Sequence, residues 1–265
     1  MSKATLTKRT EFCSSHRYHN PNWDDAKNKD VFGPCNNEHS HGHNYMLEVT
    51  LCGDIDPING MIINLYDLKI YLWDVLKEFD HKNLNLDTPY FTDRIPTTEN
   101  LAVTLWSQLE QHPHMPPLDH IKLYEDHTFF ADVTAELLHG TNGLRDTPHA
   151  SITRRYNFSA AHTLSTGQTT GHNYALEVTV TGPIANDTGQ VVNLVSLDQF
   201  VQNKVLMRFN EKNLSDDKAF QHAQVGEKSL AQVVWQTLQE EPLFGTTLTQ
   251  VRVSEGVNTS TAYRG

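Results

Sequence analysis

His43-Asn44-Tyr45-Met46-Leu47-Glu48-Val49-Thr50 returns 129 residues later as His172-Asn173-Tyr174-Ala175-Leu176-Glu177-Val178-Thr179. The same offset relates Gly60-Met61-Ile62-Ile63-Asn64-Leu65 to Gly189-Gln190-Val191-Val192-Asn193-Leu194, and Trp106 to Trp235. It slips by one at Lys82-Asn83-Leu84 against Lys212-Asn213-Leu214, and at Glu125 against Glu255. Upstream, Phe12-Cys13-Ser14-Ser15-His16 matches Phe158-Ser159-Ala160-Ala161-His162 at an offset of 146, so the second copy lacks 17 residues between these blocks. Such ordered self-similarity is the mark of a repeated domain. The expected organisation is one domain over 1–136, a linker over 137–149 and a second domain over 150–265. The linker holds Gly140, Asn142, Gly143 and Pro148, residues that favour turns.

Each copy has one order of elements. Ala4 to Phe12 alternates as a strand. Tyr45 to Cys52 does so more cleanly, with Tyr45, Leu47, Val49 and Leu51 on one face. Residues 54–60, rich in Asp, Pro, Asn and Gly, read as a turn. Leu65, Leu68, Leu72, Val75, Leu76 and Phe79 recur at helical spacing. A second helix is expected from Thr98, as N-cap, to Glu110, with Leu101, Leu105, Trp106 and Leu109 inward. Strands follow at 121–125 and 128–133, and copy two repeats the order from Ser151 to Tyr263. Strands and helices are segregated, which predicts an α+β class with an antiparallel sheet and two helices on one face of each copy.

The 265 residues are 38% hydrophobic and 20% charged, the balance of a folded soluble chain. A formal net charge of -11 argues against general binding to nucleic acid or to an anionic membrane surface. No apolar run reaches the roughly 18 residues of a membrane span. The N-terminal residues lack the apolar stretch of a signal peptide. Three cysteines, Cys13, Cys35 and Cys52, do not make a disulfide framework, and a reducing cytoplasm is the expected location.

Histidine stands out, with 15 copies. His41-Gly42-His43 puts two imidazoles on one face at the entrance of a strand. His16 ends the preceding strand in phase with Phe12, so pairing of the two strands brings three imidazoles to one sheet end. Three nitrogen ligands with an open fourth position is the pattern of catalytic zinc. Ordinary hydrogen-bonded histidines are the other reading, and the spacing alone leaves both open.

Four blocks carry a resemblance to a known family. Cys35-Asn36-Asn37-Glu38-His39-Ser40-His41-Gly42-His43-Asn44-Tyr45, Asp80-His81-Lys82-Asn83-Leu84-Asn85, Thr97-Thr98-Glu99-Asn100 and Leu123-Tyr124-Glu125 occur in family order across most of copy one. They resemble the 6-pyruvoyl-tetrahydropterin synthases, a family that includes the bacterial 6-carboxytetrahydropterin synthases. The resemblance implies the tunnelling fold (T-fold) in each copy, zinc as cofactor and 7,8-dihydroneopterin triphosphate as substrate. It implies that His16, His41 and His43 hold the zinc, that Cys35 is the proton-abstracting thiol, and that Asp80 and His81 relay protons. In the family this relay is assembled across subunits. It places Glu125 at the pterin-anchoring position, with Thr97, Thr98 and Glu99 beside it. Chemistry agrees: a carboxylate accepts two parallel hydrogen bonds from an amidine-like edge, and a thiol near a dication is readily held as thiolate. Cys13 and Cys52, inside strands, are expected to be structural. Arg17, Lys29, Lys82 and Arg94 are candidates for the triphosphate by proximity to the motifs.

Copy two keeps His162, His172 and Glu255 but has Thr170 in place of the middle histidine. The deletion removes the segment that carries Cys35. Asn210 and Glu211 stand at the positions of Asp80 and His81, and Lys228 at that of Glu99. The expectation is a non-catalytic copy that fills the place of a neighbouring subunit, with Glu255 a candidate for a vestigial pterin-like site. A homo-oligomer follows, either a trimer of two-domain chains imitating a hexamer or a dimer of such trimers. The expected activity is a zinc-dependent lyase that releases triphosphate to give 6-pyruvoyl-tetrahydropterin. The alternative is a 6-carboxytetrahydropterin synthase of the queuosine pathway, which also releases acetaldehyde. The spacing from Cys35 to His41 and the Asn36-Asn37 pair favour the pyruvoyl type. A non-enzymatic pterin- or purine-binding oligomer is the reading from another class.

Overall fold

The computed structural model describes residues 3–140, 143, 145–221, 224–256 and 258–265. The chain divides into two compact units. One comprises Met1–Ile152 with Pro183–Val191, and the other Thr153–Gly182 with Val192–Gly265. The first unit is therefore discontinuous in sequence: it takes in a turn from the second repeat.

In the first unit, β1 (Lys3–His16) and β2 (His41–Asp54) run antiparallel, with Phe12 opposite Tyr45 and His16 opposite His41. Between them lie α1 (Asp25–Phe32) and a 3-10 turn over Gly33–Asn36. Helix α2 (Leu65–Leu76) follows, then the short β3 (Lys82–Asn83), parallel to β1. After α3 (Thr98–Glu110), β4 (Leu118–Tyr124) pairs with β2, and β5 (Phe129–Thr134) with β4. Tyr45, Leu47, Val49 and Leu51 are fully buried, as their alternation requires. A one-residue slip would expose all four, at roughly 2 kcal/mol each, so the register that places the histidines is firmly set. Leu68, Leu72, Val75 and Leu76 of α2 and Leu101, Leu105, Trp106 and Leu109 of α3 are buried as expected.

The start of α3 differs from the expected one, and the expected linker begins inside a short helix. Thr97, not Thr98, is the N-cap of α3; its hydroxyl oxygen accepts from the Asn100 N–H at 3.2 Å. Thr98 is drawn into the helix because its hydroxyl is committed to Glu125. Residues 137–149 run from the end of α4 (Ala135–His139) to the start of β6 (His149–Thr163). Thr141, Asn142 and Leu144 of that stretch lie outside the described residues.

The second unit repeats the plan. A tight turn joins β6 to β7 (Thr169–Pro183), with Leu164 N–H donating to Gln168 O at 2.8 Å. This hairpin replaces the whole α1 excursion of the first repeat. Helices α5 (Leu194–Val201), α6 (Met207–Phe209) and α7 (Glu227–Gln239) precede β8 (Thr247–Glu255) and β9 (Thr259–Tyr263). β7 pairs antiparallel with β8, and β8 with β9. Tyr174, Leu176, Val178 and Val180 form the buried face of β7. Both repeats are thus antiparallel sheets backed by helices, an α+β architecture.

Candidate metal centre and active site

The β1–β2 register puts His16 across from His41, and the alternation of β2 brings His43 to the same face. The ring centroids form a near-equilateral triangle of 4.7, 5.0 and 4.9 Å. One nitrogen from each of His16, His41 and His43 lies within 4.8 Å of the others. Pro96 O lies 3.0 Å from His16 Nδ1, and a carbonyl only accepts, so Nδ1 carries the proton and Nε2 keeps its lone pair. Tyr45 Oη is also 3.0 Å from that Nδ1. An imidazole held by its outer nitrogen is the usual partner arrangement of a metal ligand. His16 Nε2 and His41 Nε2 are 3.2 Å apart, close to the edge of a tetrahedron with metal–nitrogen bonds of about 2.0–2.1 Å. Burial pushes the pKa of His16 well below its ordinary value, and His41 and His43 push it further. Burial and His43 also lower His41. Three imidazoles whose nitrogens crowd together in this way suit a borderline cation such as zinc.

Two buried carboxylates lie within electrostatic range of each other, and one of them meets the triangle. Glu125, following β4, lies 3.5 Å from His43 Nε2. Its Oε2 accepts hydrogen bonds from the Thr98 hydroxyl and, at 3.1 Å, from the Tyr18 hydroxyl. The Tyr18 oxygen in turn accepts the Thr98 N–H at 3.1 Å. Burial raises the pKa of Glu125 against the opposing pull of His43, Thr98 and Tyr18. Glu99, in the first turn of α3, is 1% exposed, and burial pushes it up to about 7. Its Oε1 accepts the Val191 N–H at 3.1 Å, while Oε2 is buried without a hydrogen-bond partner. An unsatisfied buried acceptor is costly, and a ligand N–H would relieve it.

Cys35 sits in the 3-10 turn that two hydrogen bonds staple to residue 18. The Tyr18 N–H donates to Cys35 O at 2.9 Å, and Asn36 Nδ2 donates to Tyr18 O at 2.7 Å. The half-buried Cys35 packs on Tyr18, Phe32 and Ile95, and its thiol lies in electrostatic range of the Tyr18 and Tyr45 hydroxyls. The turn therefore delivers the sulfur to the neighbourhood of the histidines' supporting tyrosines.

Asp80 and His81 gather elsewhere, around Cys13. Asp80 Oδ1 accepts the Cys13 N–H at 2.9 Å, and Oδ2 lies 2.9 Å from His81 Nδ1. The His81 N–H donates to Cys13 O at 2.7 Å, with His81 held at a φ of 58°. Burial raises the Asp80 pKa, but the Cys13 N–H and His81 outweigh it and hold the carboxyl below its ordinary range. The Cys13 side chain alternates with Phe12 and Ser14, so it lies on the face of β1 opposite His16. An open cleft of about 300 Å³ is lined by Cys13, His43, His81 and Lys82. Arg17 and Arg94 share a different cavity, of about 550 Å³, with His19, Asn83 and Asn85. Lys29 is exposed on α1.

Tyr18 and Tyr45 escape a reading by motifs, although they follow His16 and His43 in the same two-residue period, which is the signal that finds them. Gly189 and Val191 carry no such signal. Thr97 donates its hydroxyl to Gly189 O at 2.6 Å, and Asn20 Nδ2 donates to Asp187 O at 2.8 Å.

The second repeat shows the same frame with other groups. His162 and His172 stack at 5.3 Å with their planes 17° apart, and His172 Nδ1 lies 2.6 Å from Glu255. Thr170 Oγ1 is 3.4 Å from His172 Nε2. The Ser159 N–H donates to Asn210 at 3.0 Å, and the Glu211 N–H to Ser159 O at 2.6 Å.

The chain is similar to known proteins of one family. A human 6-pyruvoyl tetrahydrobiopterin synthase is 44% identical over 124 residues, 46% of this chain and 86% of that protein. A Drosophila melanogaster protein of the same name is 45% identical over 124 residues, covering 46% and 74%. A solved Caenorhabditis elegans 6-pyruvoyl tetrahydropterin synthase aligns with 48% of this chain and 91% of its own, at 36% identity and a TM-score of 0.46. The family model for 6-pyruvoyl tetrahydropterin synthase matches twice, over residues 5–136 and 151–265. With both halves matched, the chain belongs to the 6-pyruvoyl tetrahydropterin synthase family, as a tandem duplication of its domain.

Proposed function

We propose that the first repeat is a zinc-dependent lyase that converts 7,8-dihydroneopterin triphosphate to 6-pyruvoyl-tetrahydropterin with release of triphosphate. The observation that carries this reading is the convergence of His16, His41 and His43 beside buried Glu125. His16, His41 and His43 would hold the zinc, which when bound supplies a Lewis acid for the hydroxyl oxygens of the substrate side chain. Glu125 and Glu99 accept hydrogen bonds from the amidine-like edge of the pterin. Thr98 and Tyr18 fix the Glu125 carboxylate for that contact. Cys35, as thiolate, takes the proton from the side-chain carbon, and the electron pair left behind expels triphosphate. Asp80 holds His81 by its Nδ1, leaving Nε2 to carry protons during the tautomerisation that follows. Within one chain this pair is held at Cys13, on the far face of β1, which supports a homo-oligomer in which His81 of one chain serves Cys35 of another. The Cys35 to His41 spacing supports the pyruvoyl product.

The test is turnover. Zinc-loaded protein incubated with 7,8-dihydroneopterin triphosphate should release triphosphate without acetaldehyde, and Cys35→Ala should abolish release while the pterin still binds. Acetaldehyde among the products would assign the carboxy type instead. Equal inertness of both proteins, with the pterin bound, would leave a binding protein and refute the lyase.

A further inference from the structure

The turn Pro183–Val191 comes from the second repeat, yet it belongs to the first compact unit. It meets that unit at the residues assigned above to the pterin pocket. The Val191 N–H holds Glu99 Oε1, and Gly189 O takes the Thr97 hydroxyl, which also caps α3. The approach is close. A Cβ on Gly189 would fall 2.6 Å from Asn100 Nδ2, 3.1 Å from Thr97 Cγ2 and 3.3 Å from Ile95 O, and the residue has a φ of +70°. The equivalent turn of the first repeat has no such engagement: Gly60 has nearly the same φ, +72°, and nothing within 4 Å of its would-be Cβ. Met61, the counterpart of Gln190, is 45% exposed, whereas Gln190 and Val191 are buried. The partners are asymmetric too, because Lys228 replaces Glu99 in the second repeat.

We propose that residues 183–191 are a built-in wall of the first repeat's ligand pocket, with Gly189 and Val191 as positioning residues that orient Glu99 for a pterin-type N–H edge. This rests on the reading of Glu99 and Glu125 as pterin acceptors. The backbone N–H at Val191 occupies one oxygen of Glu99, which leaves the partnerless Oε2 as the acceptor offered to the ligand. A backbone donor cannot be lost by side-chain drift, and the glycine permits the close approach that delivers it. The second repeat is thus retained for a task in recognition as well as for its sheet. Its own metal chemistry can decay while this turn is kept.

The experiment compares Gly189→Ala with Gly167→Ala in the full chain. Gly167 has the same left-handed strain, at φ +83°, with nothing within 4 Å and no part in the site. Binding of 7,8-dihydroneopterin is followed by its fluorescence, alongside kcat, KM and zinc content. Gly189→Ala should weaken binding and raise KM at least tenfold, about 1.4 kcal/mol, with kcat within threefold and zinc unchanged. Gly167→Ala should stay within twofold of wild type. Adding Asn100→Ser to Gly189→Ala frees the space the new Cβ needs and should recover part of the loss, which a fold-wide defect would not allow. Equal effects of the two alanines, or a fall in kcat at unchanged KM, overturn the proposal. Wild type that binds the pterin without turnover would refute the proposed reaction alone, and the binding comparison still decides the wall. Wild type that binds none overturns both.

Discussion

The two repeats keep one scaffold and differ in what hangs from it. Phe12 stacks on Tyr45 at 5.2 Å in the first, and Phe158 on Tyr174 at 5.3 Å in the second. His81 and Glu211 share a φ of 58°, and each N–H donates to the equivalent strand carbonyl. Asp80 and Asn210 accept the same strand N–H at 2.9 and 3.0 Å. The corner after the first helix is therefore a structural device in both repeats, and only its side-chain chemistry differs. At the histidine cluster the divergence is sharper. His16, His41 and His43 meet edge-on around a common point, whereas His162 and His172 lie nearly parallel and Glu255 lies 2.6 Å from His172 Nδ1. Backbone hydrogen bonds tolerate Asn for Asp. The proposed proton relay and metal triangle would tolerate no such exchange.

The comparison can be broken most decisively at the metal. His41→Thr gives the first repeat the ligand set of the second. It should cut zinc from one per chain to under a tenth and turnover by about a thousandfold or more. Metal retention measured by elemental analysis would show that the triangle is not the site. Asp80→Asn copies Asn210. The new amide oxygen still accepts the Cys13 N–H, so thermal stability should move by less than about 1 kcal/mol. The His81 ring loses its carboxylate, and kcat should fall on the order of a hundredfold. Comparable kcat in the two proteins would confine Asp80 to the structural role that Asn210 has.

A third difference is pH-dependent stability, because Glu99 has no counterpart in the second repeat. Its folded pKa, near 7, lies above the ordinary carboxyl value of 4.5. The folded state then binds the proton more tightly than the unfolded state. Its contribution is full below pH 4.5 and is lost as pH rises to 7. The unfolding free energy of metal-free protein, from denaturant titrations, should fall across that window by up to about 3 kcal/mol, and Glu99→Gln should flatten the slope. An unchanged slope would place the proton elsewhere. The smallest effect is expected among the cysteines: Cys52→Ala, in β2, should alter turnover by less than twofold, in contrast to Cys35→Ala.

Much of this was legible in the sequence. The β2 face from Tyr45 to Leu51 follows from strict alternation, and the three-histidine convergence follows from that alternation once β1 and β2 are taken as paired. The frame of the repeat needs only the self-match. Contacts made through backbone atoms were hidden. Val191 and Gly189 act through an N–H and a carbonyl, which no side-chain pattern reports, and Pro96 fixes the His16 tautomer in the same silent way. The Thr97 cap was missed by one residue because Thr98, an equally good capping type, is claimed by a carboxylate distant in sequence.

X-ray absorption at the zinc edge of the loaded protein probes the centre of the account most directly. Three nitrogen scatterers at about 2.0–2.1 Å, with zinc at one equivalent per chain and loss of that signal in His41→Thr, are the predicted result. A sulfur shell near 2.3 Å, or a protein that binds no zinc while folded, would contradict it.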